Sequence, residues 1–298
     1  MRLPITRSPI ARFDIVCFNR VAIVGFGLIG ASAALAMRAR GSARVVVAID
    51  RGDVTDAAIT LGAADAGDED LAAARGADLI LLAAPVAENI AILGRLPDVV
   101  PDRALVTDVG STKQQIVHAA RRLPERLHFI GGHPLSGGTS SGVEAARADL
   151  FEGCAWILTP DDSSAEADIC ALESVAASIG ARPVRMDARE HDRLLAYLSH
   201  LPQLAVSALM HVVGERAGAA GLALCGPGLR DTARLASSPP AIWRDILDTN
   251  AGPVTAALDE LIAALERLKS AAAEDPHELD RIFESAGRWK RVLDENGR

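Results

Sequence analysis

The chain has 298 residues, enough for about two domains of roughly 100 to 200 residues each. Apolar residues make up 49% of it and charged residues 23%, which excludes a disordered or fibrous protein. Acidic residues outnumber basic ones by 39 to 31, and only 3% of residues are aromatic. The composition therefore argues against a nucleic-acid-binding protein.

One uncharged stretch near the N-terminus could be taken for an export signal or a membrane segment. Residues 21–37 carry no charge and follow several arginines, as in a secretory signal. We disfavour that interpretation because glycines stand at positions 25, 27 and 30, a spacing that a signal does not need. Residues 1–19 are predicted to form an irregular extension.

The cysteine pattern indicates neither a disulfide framework nor a metal site. Cys17, Cys154, Cys170 and Cys225 include no C-x-x-C pair and no spacing typical of metal ligands. We therefore predict buried free thiols, no bound metal and a reducing, cytoplasmic location.

Short apolar runs alternate with helical segments through the first two thirds of the chain. The run 21–24 is predicted to be a buried strand, followed by a helix at 28–40. Further strands are predicted at 44–49, 78–83, 104–107, 128–131, 155–158 and 181–186. This alternation predicts an α/β Rossmann-like domain over residues 20–187, a doubly wound parallel sheet with helices on both faces.

Strand signals stop beyond residue 187. Helical runs at 188–213, 254–274 and 277–294 predict an all-α helical domain over residues 188–298. In one of these runs, aliphatic residues recur at helical spacing: Leu258, Leu261, Ile262, Leu265 and Leu268. Such a face is either core or subunit interface, and the sequence leaves that choice open.

A glycine motif opens the first predicted helix. Gly25-Phe26-Gly27-Leu28-Ile29-Gly30 follows a strand and precedes a helix, the setting in which G-x-G-x-x-G binds a dinucleotide. The first glycine permits the turn, the second admits the pyrophosphate, and the third lets helix and strand pack closely. All six residues are predicted cofactor contacts.

Asp50 and Arg51 bear on the choice of dinucleotide. Asp50 lies 20 residues after Gly30, where a carboxylate would bind the adenosine ribose hydroxyls. It would repel a 2′-phosphate, so NAD is favoured over NADP, although Arg51 could offset that repulsion or stack on the adenine. Ala84 and Pro85, which follow the strand 78–83, complete the predicted cofactor contacts.

Two motifs follow predicted strands and carry polar side chains. In Asp108-Val109-Gly110-Ser111-Thr112-Lys113, Ser111 is predicted to cap the next helix, to hold a substrate oxygen, or both. His133 lies at a predicted strand end in Gly131-Gly132-His133-Pro134-Leu135-Ser136-Gly137-Gly138. An imidazole suits general-base catalysis near neutral pH, and the glycines would leave room for a ligand.

Two more motifs lie in the helical domain. His191-Asp192 is predicted to orient the domain rather than to react, while His200 and Gln203 would share one face of a helix that Pro202 kinks. His200 could equally be an ordinary packed or solvated residue. Arg230 and Arg234 are four residues apart, so on one helix they would form either a carboxylate-binding fork or a solvated face.

Taken in order, these motifs resemble the prephenate and arogenate dehydrogenase family of tyrosine biosynthesis. The specific parts are D-V-G-S-T-K, G-G-H-P-L-S-G, S-H-L-P-Q, and R-D-T-A-R followed by W-R-D. The resemblance spans about residues 20–290. It implies NAD-linked oxidation of a cyclohexadienol ring carbon, coupled to loss of the ring carboxylate as CO2.

The resemblance also implies roles for individual residues. His133 would accept the proton of the ring hydroxyl, and Ser111 would bind the same oxygen. Arg234, and with it Arg230, would anchor the substrate carboxylates. The other candidate substrate contacts are His200, Trp243, Gln203 and Thr139. The resemblance further implies a homodimer formed through the helical domain.

Thr139 bears on the substrate. Many relatives carry an acidic residue in this loop, which would suit the ammonium group of arogenate, so Thr139 favours prephenate. The alternatives are an arogenate or 4-amino-4-deoxyprephenate dehydrogenase, a general hydroxyacid dehydrogenase, and a non-catalytic module that senses NAD. We expect a small dicarboxylate substrate and no nucleic-acid or membrane partner.

Overall fold

The computed structural model describes residues 6–7, 16–136 and 141–296. Within these residues, nine strands form one sheet. They are β1 (Thr6–Arg7), β2 (Phe18–Val24), β3 (Ala43–Ile49), β4 (Ala66–Asp68), β5 (Leu79–Leu82), β6 (Ala104–Asp108), β7 (Leu127–Pro134), β8 (Ala155–Thr159) and β9 (Arg182–Arg185). Their order in the sheet is β1-β9-β8-β7-β6-β5-β2-β3-β4.

Helices cover both faces of this sheet. They are α1 (Leu28–Ala39), α2 (Gly52–Thr60), α3 (Val86–Val99), α4 (Gln114–Ala120) and α5 (Glu166–Ser178). In β2, Val21 and Ile23 belong to one core cluster, while Ala22 and Val24 belong to a second. Burial on both faces explains the unbroken apolar run of this strand. The predicted Rossmann-like fold is confirmed.

The sheet is not parallel throughout. β7 pairs with β8 in antiparallel fashion, as β1 does with β9, whereas the other neighbours are parallel. A parallel return would need a crossover, usually a helix. The described part of the β7–β8 connection contains only a 3₁₀ turn at Val143–Ala145. The prediction of a parallel sheet is therefore wrong for β8 and β9, which run parallel to each other and opposite to β7.

The N-terminal segment also differs from the prediction. Thr6 and Arg7 are not irregular but pair with Arg185 and Val184 of β9, and β2 already begins at Phe18. The uncharged stretch 21–37 forms the end of β2, the glycine turn and most of α1. In the described part of the chain, no helix is long and apolar enough to cross a membrane.

The cysteines are free but not buried. Cys17 and Cys170 are exposed, and Cys154 and Cys225 are half-buried. Cys170 lies on the outer side of α5, where its thiol donates a hydrogen bond to Glu166 at 3.5 Å. The prediction of buried thiols is wrong.

Helices make up the rest of the chain, and the described residues from 188 to 296 contain no strand. They are α6 (Ala188–Leu195), a π-helical turn (Ala196–His200), α7 (Leu201–Leu222), α8 (Pro227–Thr232), a 3₁₀ segment (Ala233–Ser237), α9 (Pro240–Glu274) and α10 (Pro276–Asn296). The wide π turn stands where we predicted a kink at Pro202. Proline has no amide for the usual helical hydrogen bond, and the wider turn accommodates that loss.

Helix α9 differs from its prediction at the start. It begins at Pro240 rather than at residue 254, and it bends at Asn250, whose φ of −136° is not helical. Its predicted apolar face is only partly covered in the single chain. Leu258, Leu261 and Leu268 are half-buried, whereas Ile262 and Leu265 are 52% and 54% exposed.

Carboxylates of the helical domain cap two helices of the sheet domain. Neither α3 nor α4 has a capping side chain at its own N-cap position. Asp245 of α9 accepts hydrogen bonds from the amides of Val86 (2.7 Å) and Ala87 (3.0 Å) at the start of α3. Asp192 of α6 does the same for α4, at 2.7 and 2.8 Å. Because free N-terminal amides need acceptors and favour negative charge, each domain stabilises the other.

We expect Asp245→Ala to lower the free energy of unfolding by about 0.5 to 2 kcal/mol, the usual cost of a lost helix cap. Denaturant titration followed by circular dichroism measures it. Asp248→Ala is the matched control, because Asp248 lies exposed on the same helix and its carboxylate bonds to nothing among the described residues. Equal losses in the two variants would contradict the capping role.

Candidate active site

The glycine turn after β2 leaves its backbone open to a ligand. Gly25 has a φ of +90°, a conformation that favours glycine. A Cβ at Gly30 would collide with the carbonyl of Gly25, so glycine is needed there for close packing. Nothing lies within 4 Å of a Cβ placed at Gly27. The first amides of α1 are therefore accessible to phosphate.

Asp50 lies directly beside this turn. Its Oδ2 accepts a hydrogen bond from the amide of Phe26 (2.7 Å), and its Oδ1 accepts one from Arg51 (2.7 Å). The Phe26 ring is fully buried, and Leu28 and Ile29 pack partly against the same core. These three residues therefore shape the turn mainly through backbone and packing.

A groove of about 450 Å³ runs along this edge of the sheet. It brings together predicted cofactor residues with several that were not predicted: Gly25, Gly27, Asp50, Arg51, Ala84 and Pro85, joined by Glu69, Glu88 and Arg95. The Arg51 guanidinium lies 3.3 Å from Asp53. Open backbone amides and a carboxylate at the end of β3 fit the phosphates and the ribose of a dinucleotide.

His133 lies beyond the carboxyl end of β6. Strand β7 pairs with β6 only as far as Ile130 and then continues beside β8, so His133 stands inside a strand, opposite Ile157. The neighbouring glycines leave no room for a ligand. A Cβ at Gly131 would collide with Thr159, and one at Gly132 with the backbone of Asp108. The interpretation as ligand space is wrong for Gly131 and Gly132, because they serve close strand packing. Gly137 and Gly138 lie outside the described residues.

A buried ion pair holds the strand that carries His133. Lys113 and Asp108 are fully buried and bonded to each other. The Lys113 ammonium also donates to the carbonyl of Gly132 (2.8 Å), and Asp108 accepts from the amides of Gly132 (3.1 Å) and Gly110 (2.8 Å). Burial lowers the pKa of Lys113 despite the Asp108 charge. The pair ties the loop after β6 to the strand that carries His133.

Ser111 lies in this loop but does not cap α4. The helix begins at Gln114, and Asp192 supplies the cap. The Ser111 side chain is half-buried, and its hydroxyl bonds to no other part of the chain that the structure describes. The hydroxyl is therefore available to a ligand.

A line of hydrogen bonds runs from His133 into the protein. His133 Nδ1 lies 2.8 Å from His191 Nε2, and His191 Nδ1 lies 2.8 Å from the Asp192 carboxylate. His191 and Asp192 are fully buried. Burial, followed by the charges of His191, Lys113 and His200, holds the pKa of His133 well below its ordinary value. His133 is therefore a neutral base at physiological pH.

His200 and Trp243 come together on the helical side. His200 is buried, and its pKa is lowered to about 4, mainly by burial. Asn250 donates to the carbonyl of Asp192 (2.9 Å) and lies 3.3 Å from His200 Nδ1. The Trp243 ring meets His200 edge-on at 6.1 Å. Its indole Nε1 is buried and lacks a hydrogen-bond partner among the described residues.

The two predicted arginines lie on successive segments rather than on one helix. Helix α8, with Arg230, ends at Thr232, and Arg234 follows in the 3₁₀ segment. The chain tightens there ahead of Pro239 and Pro240, so the two guanidiniums do not share one α-helical face. Both arginines are exposed. The condition for a shared face, one α-helix that carries both arginines, is therefore not met.

Gln203 fixes the position of the segment that carries Arg234. Its Nε2 donates to the carbonyl of Leu235 (2.8 Å), and its Oε1 accepts from Ser238 (3.0 Å). Gln203 is itself buried on α7. Thr139, the remaining predicted contact, lies outside the described residues.

Sequence reasoning did not single out Lys113, Asn250 or Asp245. Lys113 and Asp245 belong to the motifs D-V-G-S-T-K and W-R-D, but the sequence assigned no role to either residue. Asn250 carries no local signal, because its role depends on a bend within a helix.

Comparison with known proteins agrees with this geometry. The nucleotide-binding domain of prephenate dehydrogenase matches residues 33–185, and the dimerization domain of prephenate dehydrogenase matches residues 187–285. The chain belongs to the prephenate dehydrogenase family. Its two halves thus match the two domains of the family in chain order.

Individual members of the family are similar over most of the chain. Prephenate dehydrogenase of Bacillus subtilis is 34% identical over 92% of this chain and 76% of its own length. The crystal structure of Aquifex aeolicus prephenate dehydrogenase, in complex with hydroxyphenyl propionate and NAD+, superposes with a TM-score of 0.86 at 28% identity, over 94% of this chain and 99% of that one. Synechocystis arogenate dehydrogenase gives a TM-score of 0.79 at 27% identity, over 92% and 99%.

Three histidines of the site should make stability depend on pH. The pKa values of His133, His191 and His200 are all lowered in the folded chain, while in the unfolded chain each titrates near the ordinary value of about 6.5. The unfolded state therefore binds more protons below that pH. Stability should fall as pH drops from about 6.5 towards 5, by up to about 1.4 kcal/mol per pH unit for each histidine.

Urea titrations at several pH values measure this slope. In His200→Gln, we expect the slope between pH 6.5 and 5 to be shallower by up to about 1.4 kcal/mol per pH unit. Between pH 7.5 and 8 these histidines are neutral in both states, so they should contribute no slope. An unchanged slope in the variant would mean that His200 is protonated in the folded protein.

Proposed function

We propose that this chain oxidises prephenate with NAD and releases CO2, giving 4-hydroxyphenylpyruvate for tyrosine biosynthesis. The observation that carries the proposal is His133. It is a neutral imidazole just beyond the carboxyl end of β6, and the loop that follows β6 carries the Ser111 hydroxyl, which has no partner in the described chain. Membership of the prephenate dehydrogenase family supports the same reaction.

The residues present fit NAD as the cofactor. The amides at Gly27 and the start of α1 would bind the pyrophosphate, and Asp50 would accept hydrogen bonds from the ribose hydroxyls. A carboxylate at that position disfavours the 2′-phosphate of NADP. Ala84 and Pro85 would flank the nicotinamide half at the carboxyl end of β5. When bound, NAD supplies the nicotinamide that accepts a hydride from the substrate.

His133 would act as the general base. The proton leaves the hydroxyl of the ring carbon that is oxidised, and the low pKa of His133 keeps the imidazole ready to accept it. Ser111 would hold the same oxygen through its hydroxyl. Loss of the ring carboxylate restores aromaticity, so that step needs little help from the protein.

The helical domain would hold the carboxylates of the substrate. Arg234 and Arg230 are cations without an ion-pair partner in the described chain, and guanidiniums suit carboxylates. His200 is neutral because of its low pKa, so it would contribute an N–H donor rather than a charge. The unpartnered indole N–H of Trp243 is a further donor on the same side.

Prephenate is favoured over arogenate by Thr139, which offers no charge to an ammonium group. Arogenate dehydrogenase of Synechocystis is nevertheless similar in structure, and a 4-amino-4-deoxyprephenate dehydrogenase of Streptomyces pristinaespiralis is 29% identical over 88% of this chain. Arogenate therefore serves as the competing substrate in the test.

We also propose a homodimer formed through the helical domain. Several large apolar side chains of α9 and α10 are exposed in the single chain: Ile262, Leu265, Phe283, Trp289 and Leu293. Patches of this kind mark protein interfaces. The family assigns residues 187–285 to its dimerization domain. The cytoplasmic location stays a prediction.

We expect the purified protein to form NADH with NAD and prephenate, and to do so more slowly with arogenate or with NADP. Initial rates of absorbance change measure this. His133→Asn should lower kcat by roughly 10²- to 10⁴-fold while the far-UV spectrum stays unchanged. Turnover with arogenate but not prephenate would contradict the inference that Thr139 favours prephenate. No NADH formation with either substrate would favour 4-amino-4-deoxyprephenate as substrate, or a non-catalytic module that senses NAD.

We expect Arg234→Ala to raise the KM for prephenate by roughly 10- to 100-fold, the scale of a lost charge-assisted hydrogen bond, with little change in NAD affinity. Steady-state kinetics and NAD titration measure the two quantities. Arg44→Ala removes the same charge from an exposed position on β3 and serves as control. An unchanged KM in Arg234→Ala would exclude it as an anchor.

A further inference from the structure

His191 and Asp192 have no role in the reaction as derived so far, yet they contact its base. They lie on α6, far from His133 in the sequence, and both are fully buried. The sequence suggested that they orient the helical domain. In the structure they continue the hydrogen bond that leaves His133 at Nδ1.

The directions of these hydrogen bonds follow from Asp192. Its Oδ1 accepts from the amide of Lys113 (2.7 Å) and its Oδ2 from the amide of Gln114 (2.8 Å). Each oxygen of this carboxylate thus already serves as a hydrogen-bond acceptor. His191 Nδ1, 2.8 Å from Oδ1, must then be the donor. In neutral His191 the lone pair is therefore on Nε2.

That lone pair in turn decides the tautomer of His133. Because His191 Nε2 is an acceptor, His133 Nδ1 must donate across the 2.8 Å contact. The proton of neutral His133 is then on Nδ1, and its Nε2 is left with the lone pair. The hydrogen bond made by one ring nitrogen sets the role of the other. A base that acts through Nε2 is thus prepared before substrate arrives.

We propose that His191 is the positioning residue for His133 and the second acceptor of the substrate proton. The proposal rests on the proposed function. As the substrate O–H bond breaks, an N–H bond forms at His133 Nε2. The proton on His133 Nδ1 then moves to His191 Nε2. No electrons are exchanged between the two imidazoles, since bound NAD would take up the electron pair of the substrate C–H bond as hydride.

The surroundings favour the positive charge on His191 over His133. The charged and titratable groups that act on the two imidazoles are Asp108, Lys113, Asp192 and His200. Lys113 and Asp108 form an ion pair, and His200 is neutral, so Asp192 is the uncompensated charge. It contacts His191 directly. When the ring carboxylate leaves as CO2, its bonding electrons aromatise the ring and the former hydroxyl oxygen becomes a phenolate. His133 Nε2 returns its proton to that oxygen and His191 Nε2 returns its proton to His133 Nδ1, so the phenol forms and the resting tautomers are restored.

Two substitutions at His191 separate positioning from proton uptake. In His191→Gln, the amide oxygen can accept from His133 Nδ1 and preserve the tautomer, but it cannot take a proton. His191→Leu removes both functions at similar size. Asp192 is not a useful site for substitution, because it also caps α4. His118→Gln, on the exposed side of α4, is the control.

We expect His191→Gln to lower kcat roughly 10- to 100-fold and His191→Leu to lower it further, as for losses in acid–base catalysis. NAD affinity should be unchanged. In His191→Gln the acid limb of kcat/KM should move to lower pH, because His133 alone then binds the proton. The solvent-isotope proton inventory should change from two transferred protons in the parent to one. Unchanged kcat, pH limb and inventory would overturn proton uptake by His191.

Nitrogen NMR of the histidine rings tests the tautomer without any turnover. We expect the proton of His133 on Nδ1 in the parent and in His191→Gln, and a loss of this preference in His191→Leu. A proton on Nε2 of His133 in the parent would overturn the positioning role. If the proton of His133 is on Nδ1 but the protein forms no NADH with any substrate, the proposed function is wrong while the positioning role of His191 stands.

Discussion

The buried carboxylate of Asp192 is the interaction on which the rest of the site depends. A charge inside a protein is costly unless every oxygen has a partner, and here the partners are the first amides of α4 and the ring of His191. The same residue offers its carbonyl to Asn250. Asp192 therefore fixes the loop of Ser111 and the imidazoles behind His133 through its side chain, and the bend of α9 through its backbone carbonyl.

Much of the fold could be predicted because its signals are local. An unbroken apolar run such as 21–24 is typical of a parallel strand that is covered on both faces. The glycine turn can be recognised from the spacing of its three glycines. The errors arose where a neighbour decides the outcome. Thr6–Arg7 is a strand because it pairs with the edge of β9, and β8 runs antiparallel to β7 because the described part of their connection contains no α-helix that would return the chain.

The residues of the candidate site likewise divide into those that the sequence predicts and those that it does not. His133, Ser111 and Asp50 stand in motifs whose chemistry can be recognised from the letters alone. Partners across the domain junction cannot be recognised in this way, since nothing near His191 in the sequence indicates that it meets His133. The glycines beside His133 show the reverse error. They suggested space for a ligand, whereas they allow β6 and β8 to approach β7 closely.

The caps that Asp192 and Asp245 provide bear on how this architecture can be recombined. The boundary that we propose near residue 187 separates two folding patterns, but the stability of the sheet domain depends on residues beyond it. The first amides of α3 and α4 donate to carboxylates of the helical domain. A chimera that joins this sheet domain to the helical half of a relative would need acids at both positions. Exchange of whole domains is therefore constrained by two side chains that lie outside the domain they complete.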